Sequence, residues 1–239
     1  MTSTHDRERL HRQRQLALGY RIFGALRYGD LGDGHITARD PERTDAFWLL
    51  RGGVGFTRAT VADLLLIGPD GEILDGEGPF NHTAYYIHAP IHDARPDLVA
   101  AAHTHTPWGT PFSAERRLLS MITQEACHFH DDHAVFDDEE VQVLSVDGGK
   151  RIAAAVGDNR AVILANHGLL TTGASVGECV AAFVTMERVA EAQLKAPGAH
   201  AISAEAAQVA KDDLGPERSL ENGFGYLVDR HVPDPTAVG

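Results

Sequence analysis

The stretch "AAAHTHTPWG" at residues 100–109 sets His103 and His105 one residue apart, and "AVILANHGLL" at 161–170 sets His167 directly behind a buried apolar run. In an extended strand, residues i and i+2 leave the same face, so His103 and His105 can aim both imidazoles at one point. Two imidazoles make half a site. His167, at a strand-to-loop junction, is positioned to supply a third from a second strand. Three neutral imidazoles hold a first-row divalent ion and leave coordination positions open to water or substrate, which is the arrangement of a catalytic site rather than a structural one. The pattern predicts one divalent metal ion per chain, with zinc, iron(II) and manganese(II) all open to it.

Other histidines compete. Fourteen occur in the chain, and His128, His130 and His133 form an HxHxxH group beside Asp131, Asp132, Asp137 and Asp138. Nothing in its flanks reads as a rigid strand that would fix ligands, so this segment is expected to be a solvated loop or a subunit contact. "GDGHIT" at 32–37 lacks the G-x-G-x-x-G spacing of a dinucleotide site. Cys127 and Cys179 are expected to be reduced packing residues, and Trp108 and Tyr226 are ordinary core or interface aromatics.

The elements that must carry the triad alternate between helix and strand. A helix is expected over 6–27, then strands over 35–40, 46–50 and 63–68 with a turn at 68–72, and a helix over 81–94 interrupted by Pro90. "RPDLVAAAHTH" returns the chain to an apolar strand, and a short helix follows within 106–117. "VQVLSV" at 141–146 reads as a strand, "GGKRIAAAVGD" as a helix, and 161–168 as a buried strand running into a turn. Ser175 with Glu178 forms a capping box at the head of the longest helix, which Pro197-Gly198 stops. A helix near 203–213 and a loose tail close the sequence. Strands interleaved with helices, without repeats or a linker, indicate one α/β domain over 1–239, with its core at about 8–196.

Composition narrows the partners. With 239 residues and 43% hydrophobic content the chain can bury a sizeable core. A formal charge of −13 without a dense Lys/Arg cluster disfavours nucleic acid. No apolar run approaches the about 20 residues needed to span a bilayer, and the charged N-terminus has no apolar segment behind it, so a cytoplasmic protein is expected.

The runs "HAPIHDARPDLVAAAHTHTPWGTPFSA", "ITQEA" and "AVILANHGLLTTGASVGECV", with "GDGHITARDP" and "TRATVADLL" upstream, resemble the class II aldolase/adducin family over about residues 8–196. The resemblance implies a three-layer α/β/α fold with a central mixed β-sheet, commonly assembled as a tetramer with active sites between subunits. It also implies that His103, His105 and His167 bind a divalent metal, which polarises a carbonyl and stabilises an enediolate in retro-aldol cleavage.

This chain departs from the sugar-phosphate members of that family. Counting back from Pro96, their Ser-Ser-Glu stretch falls on His82-Thr83-Ala84, so the phosphate-binding serines and the acid/base carboxylate are missing. His35 stands where a phosphate-binding asparagine is expected. Substrate contacts are therefore assigned to His35, Asn81 and Thr83, and proton transfer to His82 or, one helical turn on, Tyr85. His88 is read as packing near the site rather than a ligand. A tyrosine that some relatives lend from the adjacent subunit falls near Gln124, which cannot act as a general acid. The expected function is metal-dependent C–C cleavage or decarboxylation of a small, non-phosphorylated oxo or hydroxy acid through a metal-stabilised enolate. A non-haem iron oxygenase using the same three histidines is the alternative, and a non-catalytic adducin-like binding protein a second one.

Overall fold

In chain order the strands are Gly34–Arg39 (β1), Phe47–Leu50 (β2), Leu64–Ile67 (β3), Ile73–Asp75 (β4), Ala100–Thr104 (β5), His133–Phe136 (β6), Ala161–Leu164 (β7) and Gly168–Gly173 (β8). They join in one eight-stranded sheet of order β4-β3-β2-β1-β5-β8-β7-β6. All neighbours are antiparallel except β6 and β7, so the sheet is mixed. The computed structural model describes residues 3–138, 140–215 and 218–239.

Period-2 alternation sends the two faces of each strand to different helical layers. Ile36, Ala38, Ala100 and Ala102 join a core shared with Leu16, Tyr20, Phe23, Phe183 and Met186, from the helices Thr4–Ala25 (α1) and Val176–Lys195 (α5). On the opposite face Val162, Leu164 and Leu170 pack against Ile87, Ile91, Ile152 and Val156, from His82–Ala94 (α2) and Val146–Val156 (α4). The result is the α/β/α sandwich expected from the sequence. Among the described residues no helix is long and apolar enough to cross a membrane.

Pro90 neither ends nor breaks α2, which runs on to Ala94. A proline has no N–H to offer the carbonyl of the residue four positions back, and that carbonyl, Tyr86 O, is where α4 makes its closest approach. A Cβ added at Gly149 would lie 1.8 Å from Tyr86 O and 2.9 Å from Pro90 Cγ. The two helices therefore cross backbone to backbone at a proline and a glycine.

Several sequence expectations need correction. "VQVLSV" is not a strand: only Val143 turns inward, while Val141 and Leu144 are exposed, and Ser145 caps α4 by accepting from Gly148 N. The His- and Asp-rich segment is not a solvated loop. It forms a 3-10 turn at Glu125–Phe129 and the edge strand β6, in parallel pairing with β7. The expected loose tail contains the helix Arg218–His231 (α7), packed against α5 and α1, and the 3-10 turn Pro235–Val238. Strands β4 and β8 went unread, the latter hidden behind the expected turn at 165–168.

The glycine crossing predicts that Gly149→Ala destabilises the fold by about 2–4 kcal/mol, because the backbones must separate to admit a methyl. Urea unfolding checks it: a midpoint equal to that of the unsubstituted chain would contradict the close approach.

Candidate metal centre

His103 lies in the middle of the sheet. Its Cα partners are His35 on β1 and Leu170 on β8. Its Nδ1 is 2.8 Å from Leu169 O, and since a carbonyl only accepts, Nδ1 carries the hydrogen and Nε2 keeps its lone pair for a metal. β5 ends at Thr104, so His105 sits one residue past the strand. The extended geometry continues there because His105 N donates to Asp33 O at 3.1 Å and Gly29 N donates to His105 O at 3.3 Å. The Asp33 carboxylate stands 3.3 Å from His105 Nδ1, which orients this ring too with Nε2 free.

His167 occupies the turn of a hairpin, since β7 and β8 pair Leu164 with Gly168. The turn requires a left-handed residue, supplied by Asn166 at φ 55°. Asn166 is held by its amide, which donates to Ser113 O, and by its side-chain oxygen, which accepts from Arg116 Nε at 2.9 Å. The ring centroids of His103, His105 and His167 lie 4.6–5.6 Å apart, and one nitrogen from each falls within 4.8 Å of the others. A metal–imidazole bond is about 2.1 Å, and the three nitrogens converge on one small space that an ion could share.

Electrostatics suit an ion. Burial, then the neighbouring imidazoles, hold His103 well below the usual histidine range. Burial and His105 bring His167 down to about 4. Both rings are neutral near pH 7, the state a metal requires of its ligands. The donor set, its orientation and the neutral state of His103 and His167 fit one divalent ion.

The loop beyond His105 is pinned by a residue that the sequence reading passed over. Glu187 on α5 is 1% exposed. Its carboxylate accepts from Thr106 Oγ1 at 2.7 Å, Trp108 N at 2.9 Å and Gly109 N at 2.6 Å. Burial raises its pKa against the pull of those three donors. Asp33 and the Leu169 carbonyl were also missed. A carboxylate on an otherwise apolar helical face signals Glu187, but its partners lie some eighty residues away and leave no local trace.

The remaining candidates divide. His35 is brought to the triad: it is 2% exposed, and its ring centroid lies 5.2 Å from that of His103. α2 runs in the same direction as β1, with His88 against His35 and Thr37 and with His92 against Thr37. Its first turn therefore overhangs the sheet end that carries His105. His82 is there, exposed, its ring 4.5 Å from Phe80. Asn81 caps the helix, accepting from Thr83 N and Thr83 Oγ1, so these two side chains are engaged with each other. Tyr85 points elsewhere: its hydroxyl donates to Pro69 O at 2.6 Å, and it lines a cavity of about 590 Å³ with Arg39, Phe47 and Ala89. Ala84 is fully buried in an apolar cluster with Phe47, Leu49 and Ile67. Gln124 is exposed beside the 3-10 turn Glu125–Phe129.

The HxHxxH group does not converge. His133 uses both ring nitrogens within the fold, 2.6 Å from Phe129 O and accepting from Leu119 N at 2.9 Å. Among the described residues, His103, His105 and His167 are the one group placed to hold a metal.

Three substitutions test the centre. His103→Ala or His105→Ala is expected to reduce bound metal well below one ion per chain in a protein that stays soluble. Asp33→Asn should weaken binding about 10–100-fold by releasing the His105 ring. Full metal content in both alanine variants, measured by elemental analysis after dialysis, would sink the assignment.

Comparison with known proteins agrees with this geometry. The family model described as the Class II Aldolase and Adducin N-terminal domain matches residues 14–194. The chain is 38% identical over 217 residues to a 4-hydroxy-3-prenylphenylpyruvate oxygenase/4-hydroxy-3-prenylbenzoate synthase of Streptomyces roseochromogenus subsp. oscitans, covering 89% of this chain and 78% of that one. It is 37% identical over 217 residues to the decarboxylase NovR of Streptomyces niveus, with 89% and 80% covered. Among solved structures, an L-fuculose 1-phosphate aldolase from Glaciozyma antarctica PI12 superimposes with a TM-score of 0.84 at 31% identity, covering 96% of this chain and 92% of that one. With its matched region spanning β1 to α5 and its three-histidine centre in place, the chain belongs to the class II aldolase and adducin family, as a metal-dependent enzyme.

Proposed function

We propose that the protein is a non-haem iron oxygenase that removes carbon oxidatively from a small, non-phosphorylated oxo or hydroxy acid, with an aryl-substituted 2-oxo acid as the preferred class. The observation that carries this reading is the pairing of a complete three-histidine centre with a buried alanine where a proton-transferring carboxylate would stand. Ala84 is sealed among apolar side chains, so the helix presents no carboxylate to an enolate and leaves His82 as the titratable side chain of its first turn. A reaction driven by oxygen makes less demand on such a group. The similarity to an oxygenase and to a decarboxylase supports the same choice over the retro-aldol chemistry first expected from the sequence.

An iron(II) ion on His103, His105 and His167 would supply positions for a bidentate 2-oxo acid and for O₂. The chain's own part is to orient the acid and to keep water from its reacting carbon. His35 and the first turn of α2, with His82, Asn81 and Thr83, flank the space where the acid would lie. Gln124 is left for contact with a second copy. A homo-oligomer, a tetramer first, is what the family resemblance implies.

Anaerobic purification, loading with iron(II) or zinc(II), and addition of an aryl 2-oxo acid in air separate the readings. Oxygen uptake matched by CO₂ release with iron, and none with zinc, is the expected result. Cleavage of the acid or of fuculose 1-phosphate by the zinc form without oxygen uptake would restore the lyase reading. Sedimentation at several concentrations tests the assembly: a single 25.8 kDa species with full activity would rule out a shared site.

A further inference from the structure

A run of buried polar groups leads away from the metal centre into the sheet. His35 Nδ1 lies 2.9 Å from His88 Nε2. His88 Nδ1 lies 2.7 Å from Thr37 Oγ1, and Thr37 Oγ1 lies 2.9 Å from His92 Nε2. His35 and Thr37 share a face of β1 at i and i+2, and His88 and His92 share a face of α2 at i and i+4. None of the four is more than 4% exposed. This is costly polar material for a core, and packing alone does not explain it.

Burial holds His35 and His88 well below the usual histidine range and brings His92 down to about 3, with Arg39 adding to the effect on His92. All three rings are neutral, so each has one N–H and one lone pair. Thr37 has a single hydroxyl hydrogen. If that hydrogen goes to His88 Nδ1, the hydroxyl oxygen receives His92 Nε2–H, and His88 Nε2–H goes to His35 Nδ1. Every ring is then the Nε2–H tautomer. If the hydroxyl hydrogen goes to His92, the order reverses and every ring is Nδ1–H. A third arrangement sends the hydrogen to Ala101 O, but at 3.5 Å that contact is far weaker than the 2.7 Å one.

The far end of the run decides between the two. His92 Nδ1 is the one buried side-chain nitrogen or oxygen without a hydrogen-bond partner among the described residues. In the first polarity the orphan is a lone pair; in the second it is an N–H, and orphaned buried donors are the rarer of the two. Arg39, whose guanidinium donates to the His92 carbonyl at 2.5 Å, puts positive charge nearby and also favours a lone pair. At the near end His35 Nε2 has no partner either, yet it is not among the sealed atoms, so it meets accessible space beside the triad.

We propose that the His92–Thr37–His88 run locks His35 as its Nε2–H tautomer, so that His35 donates a hydrogen bond from a neutral ring to an oxygen of the acid held at the metal centre. His35 is then the group that touches substrate, and Thr37, His88 and His92 are positioning residues that act through it. The inference rests on the small-acid reading of the site. It makes His35 a donor at a place where an imidazole would otherwise be taken for a base.

The zinc-loaded protein, labelled with ¹⁵N-histidine, gives a direct readout in long-range ¹H–¹⁵N correlation spectra. Neutral Nε2–H patterns are expected for His35, His88 and His92 at pH 7, and Nδ1–H patterns for His35 and His88 would overturn the proposal. Thr37→Val removes the hydroxyl at nearly constant volume. It should mix the His35 tautomers and raise KM about tenfold, the loss of one good hydrogen bond to a carboxylate, at unchanged metal content, with Thr37→Ser restoring both. An unchanged His35 pattern in a folded Thr37→Val would also refute the positioning role. The spectrum of the unsubstituted protein decides the polarity even if that variant fails to fold. Turnover is not involved in it, so a protein inactive on aryl 2-oxo acids but showing Nε2–H at His35 would refute the reaction and leave the tautomer standing.

Discussion

The centre depends on the register of β5 between β1 and β8. That register sets His103 opposite His35 on one side and Leu170 on the other. It also brings Leu169 O to His103 Nδ1 and leads the chain out at His105 toward Asp33. A slip of one residue would turn every side chain of β5 to the other face and carry both histidines into the α1/α5 layer. Small residues hold the register: Ala100, Ala101 and Ala102 fill the strand, and at Gly34 a Cβ would fall 2.2 Å from Thr104 Oγ1. The alanines that look featureless in the sequence are therefore what allows three strands to lie close enough for the imidazoles to meet.

Burial then does the electrostatic work. The triad, His35, His88 and His92 sit in a chain of formal charge −13, yet among the described residues no carboxylate comes close to most of them. Asp33 is the exception, and it touches the half-exposed His105. Desolvation is the first cause of the depressed basicity of His35, His88, His92, His103 and His167. An ion at the centre would meet His103 and His167 already deprotonated, with neutral imidazoles rather than competing positive charges around them.

The sequence was most legible where a local pattern coincides with a geometric rule. The HxH spacing on an apolar strand, the NHG turn and the long capped helix each describe themselves over a few residues. Ser175 does cap α5, although the carboxylate of Glu178 turns to Ala174 N and to Arg160 rather than closing the box on Ser175 N. What stayed hidden is non-local. β8 reads as the continuation of a turn until its pairing with β5 is known, and Glu187 reads as one charge of a helix until the amides of Trp108 and Gly109 arrive against it. Tyr85 lies only about 60° around the helix from His82, and what draws it aside is its own contact, the hydroxyl on Pro69 O and the ring on the flank over β2 and β3.

The place of the missing carboxylate explains the character of the remaining site. In a helix whose first turn overhangs the metal, a glutamate at 84 would need solvent or a cation, and here that position is closed by Phe47, Leu49 and Ile67. On the proposed reading the polar function lies one turn along the helix and inward, at His88 and through it at His35. A carboxylate at the rim can take and return a proton on each turnover. A neutral imidazole deep in the sheet, tied at Nδ1 to a neutral neighbour, can direct a hydrogen bond but cannot easily hold a charge. On the proposed reading, losing the first and keeping the second suits chemistry in which the substrate is held and oriented while the oxidant, not a protein base, opens the carbon–carbon bond.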